Sequence, residues 1–333
     1  MKFSLVICTY MRPKALLTLL ISVKEQIVFP DEILIIDGST NNHSEIILKD
    51  IEINNLKYFC VSEKDRGLTK QRNFGVNKTY FDSEIICFLD DDTVLMPDYF
   101  LEIIKTFKSS DSIVGVGGVE VETVGWQKKI PNNKYSKYLY YEFDGYVYKE
   151  GIRNVARNIF RLQSDLPPAK MPKFSNGRTC GFPPSEKEYE VDLLIGMSFS
   201  FRKKIFDKKK FSSYFVGYGL YEDADFCIRA LQFGKNIINT KAKLYHYHDQ
   251  AGRPNKYNYG KMVVRNGWYV WRVKNPKPEF IHKFKWHSIT ILLTIIRFIN
   301  TFTTNKKQEA FTEAIGRTAG WCSLLWNKPK IKN

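Results

Sequence analysis

The chain has 333 residues, of which 44% are hydrophobic and 15% aromatic, so it can bury a substantial core and is not a disordered protein. Its net charge is +16, and the segment from Lys241 to the C-terminus supplies +14 of it, with 18 Lys and Arg against 4 Asp and Glu. Six scattered cysteines include no CxxC pair, which predicts the free thiols of a cytoplasmic protein and argues against a zinc site or a disulfide framework.

Up to about residue 120, short apolar runs alternate with segments of helical periodicity. This pattern predicts an α/β fold with a Rossmann-like, doubly wound and mostly parallel sheet and helices on both faces. The predicted strands are residues 3–8, 32–37, 56–61 and 84–89. Three helices are predicted in this region. The first begins at Pro13, the second ends near Asn73, and the third spans residues 97–107. The first strand has no small-residue cleavage site behind it, so we do not interpret it as a signal peptide.

Three consecutive aspartates, Asp90, Asp91 and Asp92, follow directly on the fourth predicted strand. Ligands bind beyond the carboxyl ends of parallel strands, where Thr9 and Asp37 are also expected to lie. Neighbouring carboxylates repel one another unless a cation lies between them, and Mg²⁺ or Mn²⁺ suits such an oxygen-rich group. A solvated acidic turn or a helix N-cap is the alternative interpretation.

From residue 125 to residue 190 the alternating pattern stops in a stretch rich in Tyr, Lys and Pro. A long irregular insertion of this kind is typical of a functional loop or lid. Regular structure is predicted again over residues 191–202, and a helix over residues 221–229. This helix has acidic residues in its first turn, where they could simply complement the helix dipole.

The basic C-terminal region contains an apolar segment, residues 286–299, which Arg297 interrupts and which follows Lys283 and Lys285. It is shorter than the roughly 20 residues that span a bilayer. Two interpretations remain open: an amphipathic helix on an anionic membrane surface, or a helix packed on the rest of the protein. The aromatic residues follow no RNA-binding signature, so we expect no nucleic-acid partner.

Seven segments, in this order, resemble motifs of the family 2 glycosyltransferases. Residues 6–13, 35–39, 66–75 and 88–92 resemble the nucleotide-sugar half of that family, and residues 196–202, 222–229 and 243–246 resemble its acceptor half. The resemblance implies a GT-A fold. It also implies a catalytic domain over residues 1–260, with a nucleotide-sugar-binding half (1–120) and an acceptor half (121–260), followed by a basic helical extension over residues 261–333.

The resemblance also implies roles for the residues at the expected nucleotide site. Thr9 and Asp37 would hold the base, with the Asp37 carboxylate accepting a hydrogen bond from the ring N–H of uracil or thymine. Tyr10 would line the same donor site. Arg66 would lie near the base or the phosphates, and Arg12 and Arg72 are candidates for the diphosphate because a guanidinium pairs with phosphate oxygens bidentately.

At the chemical centre, the aspartates match the family's DxD motif. Asp92 is implied as a direct ligand of Mg²⁺ or Mn²⁺, Asp90 or Asp91 as a contact of the ribose or the ion, and His246 as a residue near the metal or the diphosphate. Asp223 is implied as the general base, with Glu222 as the competing candidate.

The implied function is an inverting, metal-dependent transfer of a hexosyl or deoxyhexosyl group from a nucleotide sugar. UDP or dTDP is favoured over GDP, and the acceptor is a glycan or a lipid-linked molecule in the synthesis of a bacterial cell-surface polysaccharide. The enzyme would be cytoplasmic, or peripheral on the inner face of the membrane. A sugar nucleotidyltransferase is the weaker alternative, because residues 8–14 lack a glycine-rich phosphate loop. A non-catalytic basic protein that binds membrane or nucleic acid would leave Asp37, Asp92 and Asp223 unexplained.

Overall fold

The computed structural model describes residues 1–49, 51–121, 125–178, 180–247 and 254–331. The chain divides into two compact units. The sheet unit consists of Met1–Glu122 and Glu186–Arg253, and the helical unit consists of Thr123–Ser185 and Pro254–Asn333. The helical unit is therefore built from two separate stretches of sequence. The division at residue 260 between a catalytic domain and an extension concerns function, and it stays a prediction.

The elements follow one another in mixed α/β order. The strands are β1 (Phe3–Thr9), β2 (Glu32–Asp37), β3 (Leu56–Cys60), β4 (Ile85–Asp90), β5 (Thr93–Leu95), β6 (Ile113–Glu120), β7 (Trp126–Lys128), β8 (Tyr140–Phe143), β9 (Tyr146–Lys149), β10 (Glu188–Val191), β11 (Ser198–Arg202) and β12 (Lys235–His246). The α-helices are α1 (Pro13–Lys24), α2 (His43–Leu48), α3 (Leu68–Lys78), α4 (Tyr99–Ser109), α5 (Ile152–Ile159), α6 (Glu222–Ala230), α7 (Lys256–Lys274), α8 (Phe280–Thr303) and α9 (Lys307–Ser323).

The central sheet has nine strands in the described part of the chain, with β5 paired to β12 beside the path β10-β12-β6-β11-β4-β1-β2-β3. Parallel pairing joins β3, β2, β1 and β4, and also β6 and β12, while β11 runs antiparallel between β4 and β6. Six of these nine strands thus run in one direction, which confirms the predicted mostly parallel sheet. The register aligns Thr9 with Asp37 and Cys8 with Asp90, so these three strands end at the same edge.

Helices cover both faces of the sheet because the side chains of β1 alternate between them. Phe3, Leu5 and Ile7 join one buried core with apolar residues of α1 and α4. On the opposite face, α3 packs against β1 at Gly75, where a Cβ atom would lie 2.5 Å from Cγ1 of Val6. Only glycine fits at this distance, and the close approach positions the first turns of α3 beside the carboxyl edge of the sheet.

The helical unit contains regular structure where the sequence predicted an irregular insertion. Residues 125–190 include the antiparallel sheet β7-β9-β8 and helix α5, so the prediction of an irregular insertion over this stretch was wrong. The short strands had escaped detection because Tyr, Lys and Pro obscure their alternation. In the C-terminal part of the unit, Trp268, Trp271 and Trp286 pack together. No described helix is long and apolar enough to cross a membrane.

Candidate active site

The carboxyl ends of β1 and β2 are held together by Gln71, a buried residue of α3. Its Nε2 donates to the carbonyl oxygens of Thr9 (3.0 Å) and Ile36 (2.8 Å). The amide of Gly38 donates to the same Thr9 oxygen. A buried amide that bonds two strand ends fixes the shape of the sheet edge, so Gln71 positions the residues that follow both strands.

Asp37 is fully buried at the end of β2, and both of its carboxylate oxygens accept hydrogen bonds. The backbone N–H of Ser39 donates to Oδ1 at 2.7 Å, and the hydroxyl of Tyr58 donates to Oδ2 at 2.8 Å. Burial and the Asp37 carboxylate raise the pKa of Tyr58, so this hydroxyl keeps its proton. Arg66 donates from Nε to the carbonyl of Gly38 at 2.6 Å and so lies beside the same loop.

Asp91 occupies a buried position between Thr9 and Arg12. The Thr9 hydroxyl donates to Oδ2 at 2.6 Å, and Arg12 Nη1 lies 3.0 Å from Oδ1. The same Arg12 nitrogen lies 3.5 Å from Oδ2 of Asp92. Burial raises the pKa of Asp91 to about 7, against the opposing effect of the Arg12 charge. Asp91 therefore ties the turn after β4 to the residues that follow β1.

Asp90, Asp92 and His246 form a group whose ligand atoms all lie within 4.8 Å of one another. The short strand β5 brings His246 to this place, because its pairing with β12 sets His246 opposite Thr93. His246 Nε2 lies 3.2 Å from Oδ1 of Asp92. Burial lowers the pKa of His246, but the hydrogen bond to Asp92 and the nearby carboxylates outweigh it, and the pKa is raised overall.

This donor set fits a divalent cation. Two carboxylates and one imidazole supply hard and borderline ligands, a combination that suits Mn²⁺ and is compatible with Mg²⁺. A side-chain hydrogen bond also fixes the turn, since the Thr93 hydroxyl donates to the Asp90 carbonyl at 2.8 Å. Asp90, Asp92 and His246 are thus the residues of the described chain that could hold a metal.

Arg72 is buried between the aspartate turn and the first turn of α6. Its guanidinium pairs with Glu222, lies 3.4 Å from Oδ1 of Asp90, and donates to the carbonyl of Gly196 at 3.2 Å. It also lies over the ring of Phe199, 4.6 Å from the centroid. Burial raises the pKa of Glu222, although the positive charge of Arg72 opposes this shift. These partners already occupy N–H donors of the Arg72 guanidinium. The predicted contact of Arg72 with a diphosphate therefore stays a prediction.

Asp223 lies in the first turn of α6, half-buried, and contacts the loop that precedes β11. The backbone N–H of Gly196 donates to Oδ2 at 3.0 Å, and the N–H of Ala224 donates to Oδ1 at 2.8 Å. At Gly196 a Cβ atom would lie 3.2 Å from Cβ of Asp223, so the backbone approaches this carboxylate closely. Tyr221 begins the helix with a φ of 73°, a left-handed conformation that turns the chain sharply into α6.

The sequence-predicted residues therefore come together in the sheet unit. Asp90, Asp92, Asp91, Thr9, Arg12 and His246 form one connected group, and Arg72 and Gly196 join it to Asp223. Asp37 and Arg66 lie at the neighbouring loop, and Tyr10 is partly exposed directly after β1. Three contributors were missed: Gln71, Tyr58 and the Arg72–Glu222 pair. Gln71 lies next to Arg72 in the segment of residues 66–75, but its position in the sequence does not indicate which strand ends it joins.

Comparison with known proteins identifies a family for part of the chain. The family described as Glycosyl transferase family 2 matches residues 4–164. The chain contains a family 2 glycosyltransferase domain. The chain is 28% identical to the O-antigen chain rhamnosyltransferase RfbN of Salmonella typhimurium strain LT2 over 118 residues. These residues make up 35% of this chain and 37% of that protein. The match thus spans little more than a third of the length of this curated relative.

Solved structures show the same fold at low sequence identity. The fold resembles that of S. aureus TarS (residues 1–349), with a TM-score of 0.52 and 15% identity, and the match covers 97% of this chain and 80% of that one. It also resembles the mannosyltransferase PcManGT of Pyrobaculum calidifontis, which was solved in complex with GDP-Man and Mn²⁺. The TM-score is 0.56 and the identity 12%, and the match covers 98% of this chain and 88% of PcManGT. These likenesses confirm the predicted GT-A fold.

Proposed function

We propose that this protein is a glycosyltransferase, a metal-dependent, inverting enzyme that moves a hexosyl or deoxyhexosyl group from a nucleoside diphosphate sugar to an acceptor hydroxyl. The observation that carries the proposal is the connected group at the sheet edge. There a metal-binding set, Asp90, Asp92 and His246, is linked through Arg72 and Gly196 to a second carboxylate, Asp223. Transfer from a nucleoside diphosphate sugar requires a cation for the leaving diphosphate and a base for the acceptor hydroxyl, and this group contains residues for both.

On the donor side, the leaving nucleoside diphosphate gains negative charge as the anomeric C–O bond breaks. A divalent cation held by Asp90, Asp92 and His246 would neutralise that charge without a proton transfer. Arg12 lies 3.0 Å from Asp91, and we propose that its guanidinium also contacts the diphosphate. Asp91 bonds both Thr9 and Arg12, so it fixes the position of Arg12 relative to the aspartate turn. The site for the donor diphosphate is therefore preorganised.

For the base of the donor we propose the loop after β2. Asp37 is buried there with one donor on each carboxylate oxygen, and its remaining lone pairs can accept a further hydrogen bond, such as one from the ring N–H of a base. Uracil and thymine each carry one such ring N–H, and we propose a UDP or dTDP sugar as the donor. Guanine carries a ring N–H as well, so turnover across the three donor classes decides between them. Arg66 and Tyr10 are proposed to flank the same nucleotide, one beside the Gly38 carbonyl and one directly after β1.

On the acceptor side we propose Asp223 as the general base. Its two oxygens accept from the N–H groups of Gly196 and Ala224, which orients the carboxylate while leaving it partly open. In this role it takes the proton of the acceptor hydroxyl as the oxygen forms its bond to the anomeric carbon opposite the leaving group. Glu222 is less suited, because it is buried and paired with Arg72.

The match to an O-antigen chain rhamnosyltransferase supports an acceptor in cell-surface polysaccharide synthesis, and we propose a glycan or a lipid-linked molecule. We also propose that the enzyme works at the cytoplasmic face of the membrane. We propose that residues 1–120 bind the donor and residues 121–260 contribute to the acceptor site. In the helical unit, a cleft of about 580 Å³ is lined by four tyrosines and by Lys137, Arg161 and Arg178. Aromatic ring faces can pack against the C–H surfaces of sugars, and we propose that this cleft binds part of a glycan acceptor.

The test is turnover across UDP, dTDP and GDP sugars with Mn²⁺ or Mg²⁺, for wild type, Asp92→Ala and Asp223→Asn. Asp207→Ala and Asp207→Asn are the matched controls, because Asp207 is an exposed aspartate outside the site. We expect metal-dependent release of the nucleoside diphosphate from one donor class, and loss of that release in both site variants while the controls keep it. Equal turnover after chelation of divalent ions, or an active Asp223→Asn enzyme, would contradict the proposal.

A further inference from the structure

Helix α8 carries large apolar side chains that remain exposed in two groups, one over residues 280–284 and one over residues 291–302. Seven of them have between 41% and 83% of their surface accessible to solvent. They are Phe280, Ile281, Phe284, Ile291, Ile295, Ile299 and Phe302. Single exposed apolar residues are common on any protein, but seven on one side of one helix mark an interaction surface.

The geometry of the helix puts these residues on one side. At about 100° per residue, all seven lie within an arc of about 100° around the axis of α8. The opposite side is buried, since Trp286, Ile289 and Ile296 pack within the helical unit. The row continues onto α9 through the edge-on contact of Phe298 with Phe311, whose ring is itself half-exposed. We call this surface the α8 stripe.

Positive charge borders the α8 stripe. Lys283 and Lys285 fall just outside its two edges on the same helical projection, and α8 contains no Asp or Glu. Arg297, the remaining cation of the helix with a fixed charge, points inward to Glu313 at 2.9 Å. The exposed face of α8 thus combines apolar side chains with lysines and has no acidic side chain of its own.

From this combination we infer that the α8 stripe is a docking surface for an anionic lipid bilayer, on which α8 lies parallel to the membrane plane. With 24 residues the helix is about 36 Å long. Its buried aromatic face and the inward Arg297 leave one side free for the acyl boundary. Lys283 is exposed and can reach the headgroups, whereas the ammonium of Lys285 lies 4.8 Å from the ring centroid of Phe174 and adds positive charge beside the stripe. The arrangement matches an interfacial amphipathic helix rather than a spanning one.

Two further features support lipid over a second protein chain as the occupant. Beyond α9, Leu325 and Trp326 are also largely exposed, and Trp prefers the membrane–water interface. Lysines at both edges would repel the same lysines of a second copy packed face to face, whereas they attract anionic headgroups. Lipid docking does not depend on transferase chemistry, so it goes beyond the proposed function.

The experiment is co-sedimentation of the full chain with vesicles of phosphatidylcholine alone and of phosphatidylcholine with phosphatidylglycerol. The variant is Ile291→Glu with Ile295→Glu. Its matched control is Ile27→Glu with Ile46→Glu, two isoleucines of the sheet unit that are at least as exposed. A second variant, Lys283→Gln with Lys285→Gln, tests the charges without touching the apolar row. Circular dichroism confirms that each variant is folded.

We expect wild type to bind the anionic vesicles, and the isoleucine variant to lose at least about tenfold in partitioning while its control keeps wild-type binding. The lysine variant and added salt should weaken binding to anionic vesicles. Asp92→Ala should bind like wild type, which separates lipid docking from activity. The inference is overturned if wild type stays in the supernatant, or if the isoleucine variant binds as well as wild type. A dimer that the isoleucine variant dissociates, without vesicle binding, would assign the stripe to a second copy instead.

Discussion

At the edge of the sheet unit charged side chains are buried, whereas on the α8 stripe of the helical unit large apolar side chains are exposed. Arg72, Glu222 and Asp91 are nearly inaccessible to water, while Phe280 and Phe302 are more than four-fifths exposed. Both arrangements oppose the usual partition of polar and apolar groups, and each costs folding free energy. The comparison teaches that each unit carries unfavourable features where a ligand is expected to compensate: an ionic donor at the sheet edge and lipid at the stripe.

The largest effect should come from the proposed general base. Asp223→Asn removes the proton acceptor but keeps the hydrogen bond from Gly196, so kcat should fall by about 10²–10⁴-fold. Binding of the donor nucleotide, followed by tryptophan fluorescence, should change little. Asp207→Asn, at an exposed position, should leave both measurements at wild-type values. A similar kcat for Asp223→Asn and wild type would remove Asp223 from the chemistry.

The buried charges at the sheet edge should matter strongly for stability. Arg72→Leu leaves Glu222 and Asp90 without their cation, so the free energy of unfolding should fall by roughly 3–5 kcal/mol. Arg66→Leu removes only one hydrogen bond to the Gly38 carbonyl and should cost about 1 kcal/mol. Urea unfolding measures both. Equal losses in the two variants would show that the buried network adds nothing beyond an ordinary hydrogen bond.

A buried carboxylate of α6, Asp225, should make the stability of the fold depend on pH. Burial raises the pKa of Asp225 from 3.8 to about 6, although Arg229 pairs with it at 2.9 Å. Between these pH values the folded state holds a proton that the unfolded state has released, so this group lowers stability as pH rises through the window. The stability of wild type relative to Asp225→Asn should therefore decline by up to about 3 kcal/mol.

Urea unfolding of both proteins at pH values across this window measures the trend, with Asp207→Asn as the exposed control. A difference between wild type and Asp225→Asn that stays constant, or grows with pH, would contradict a raised pKa in the folded state.

The smallest effect should follow from one methyl group at the site. Gly196→Ala adds a Cβ 3.2 Å from Cβ of Asp223 and should displace that carboxylate slightly, lowering kcat by about tenfold. At Gly181 the same methyl would meet nothing within 4 Å, so Gly181→Ala should be neutral. Steady-state kinetics compare the two. If Gly196→Ala is fully active, the close contact has no role in orienting Asp223.

Much of the sheet unit could be predicted from sequence because its signals are local. Apolar runs located β1, β2 and β4, Pro13 began α1, and the order of the motifs indicated the GT-A fold that the comparisons confirm. The aspartates were expected at the sheet edge because parallel strands end there together, and they lie there. The roles of individual residues in that group stay predictions.

What escaped prediction depends on contacts between distant segments. The buried pair of Arg72 and Glu222 joins residues 150 positions apart, and Gln71 bonds two strands that precede it. The strand β5 is only three residues long, too short for periodicity, yet its pairing with β12 brings His246 to Asp92. The two open interpretations of residues 286–299 are not exclusive, since one face of α8 packs internally and the other is exposed.

The most direct test of the account is the binding of Mn²⁺ to the purified chain, followed by electron paramagnetic resonance with and without UDP. We predict a single tightly bound Mn²⁺ per chain in the presence of UDP, lost in Asp92→Ala and retained in Asp207→Ala. If wild type binds no Mn²⁺ with UDP or with any other nucleoside diphosphate, or if Asp92→Ala binds it equally well, the metal-dependent donor site proposed at the sheet edge is contradicted.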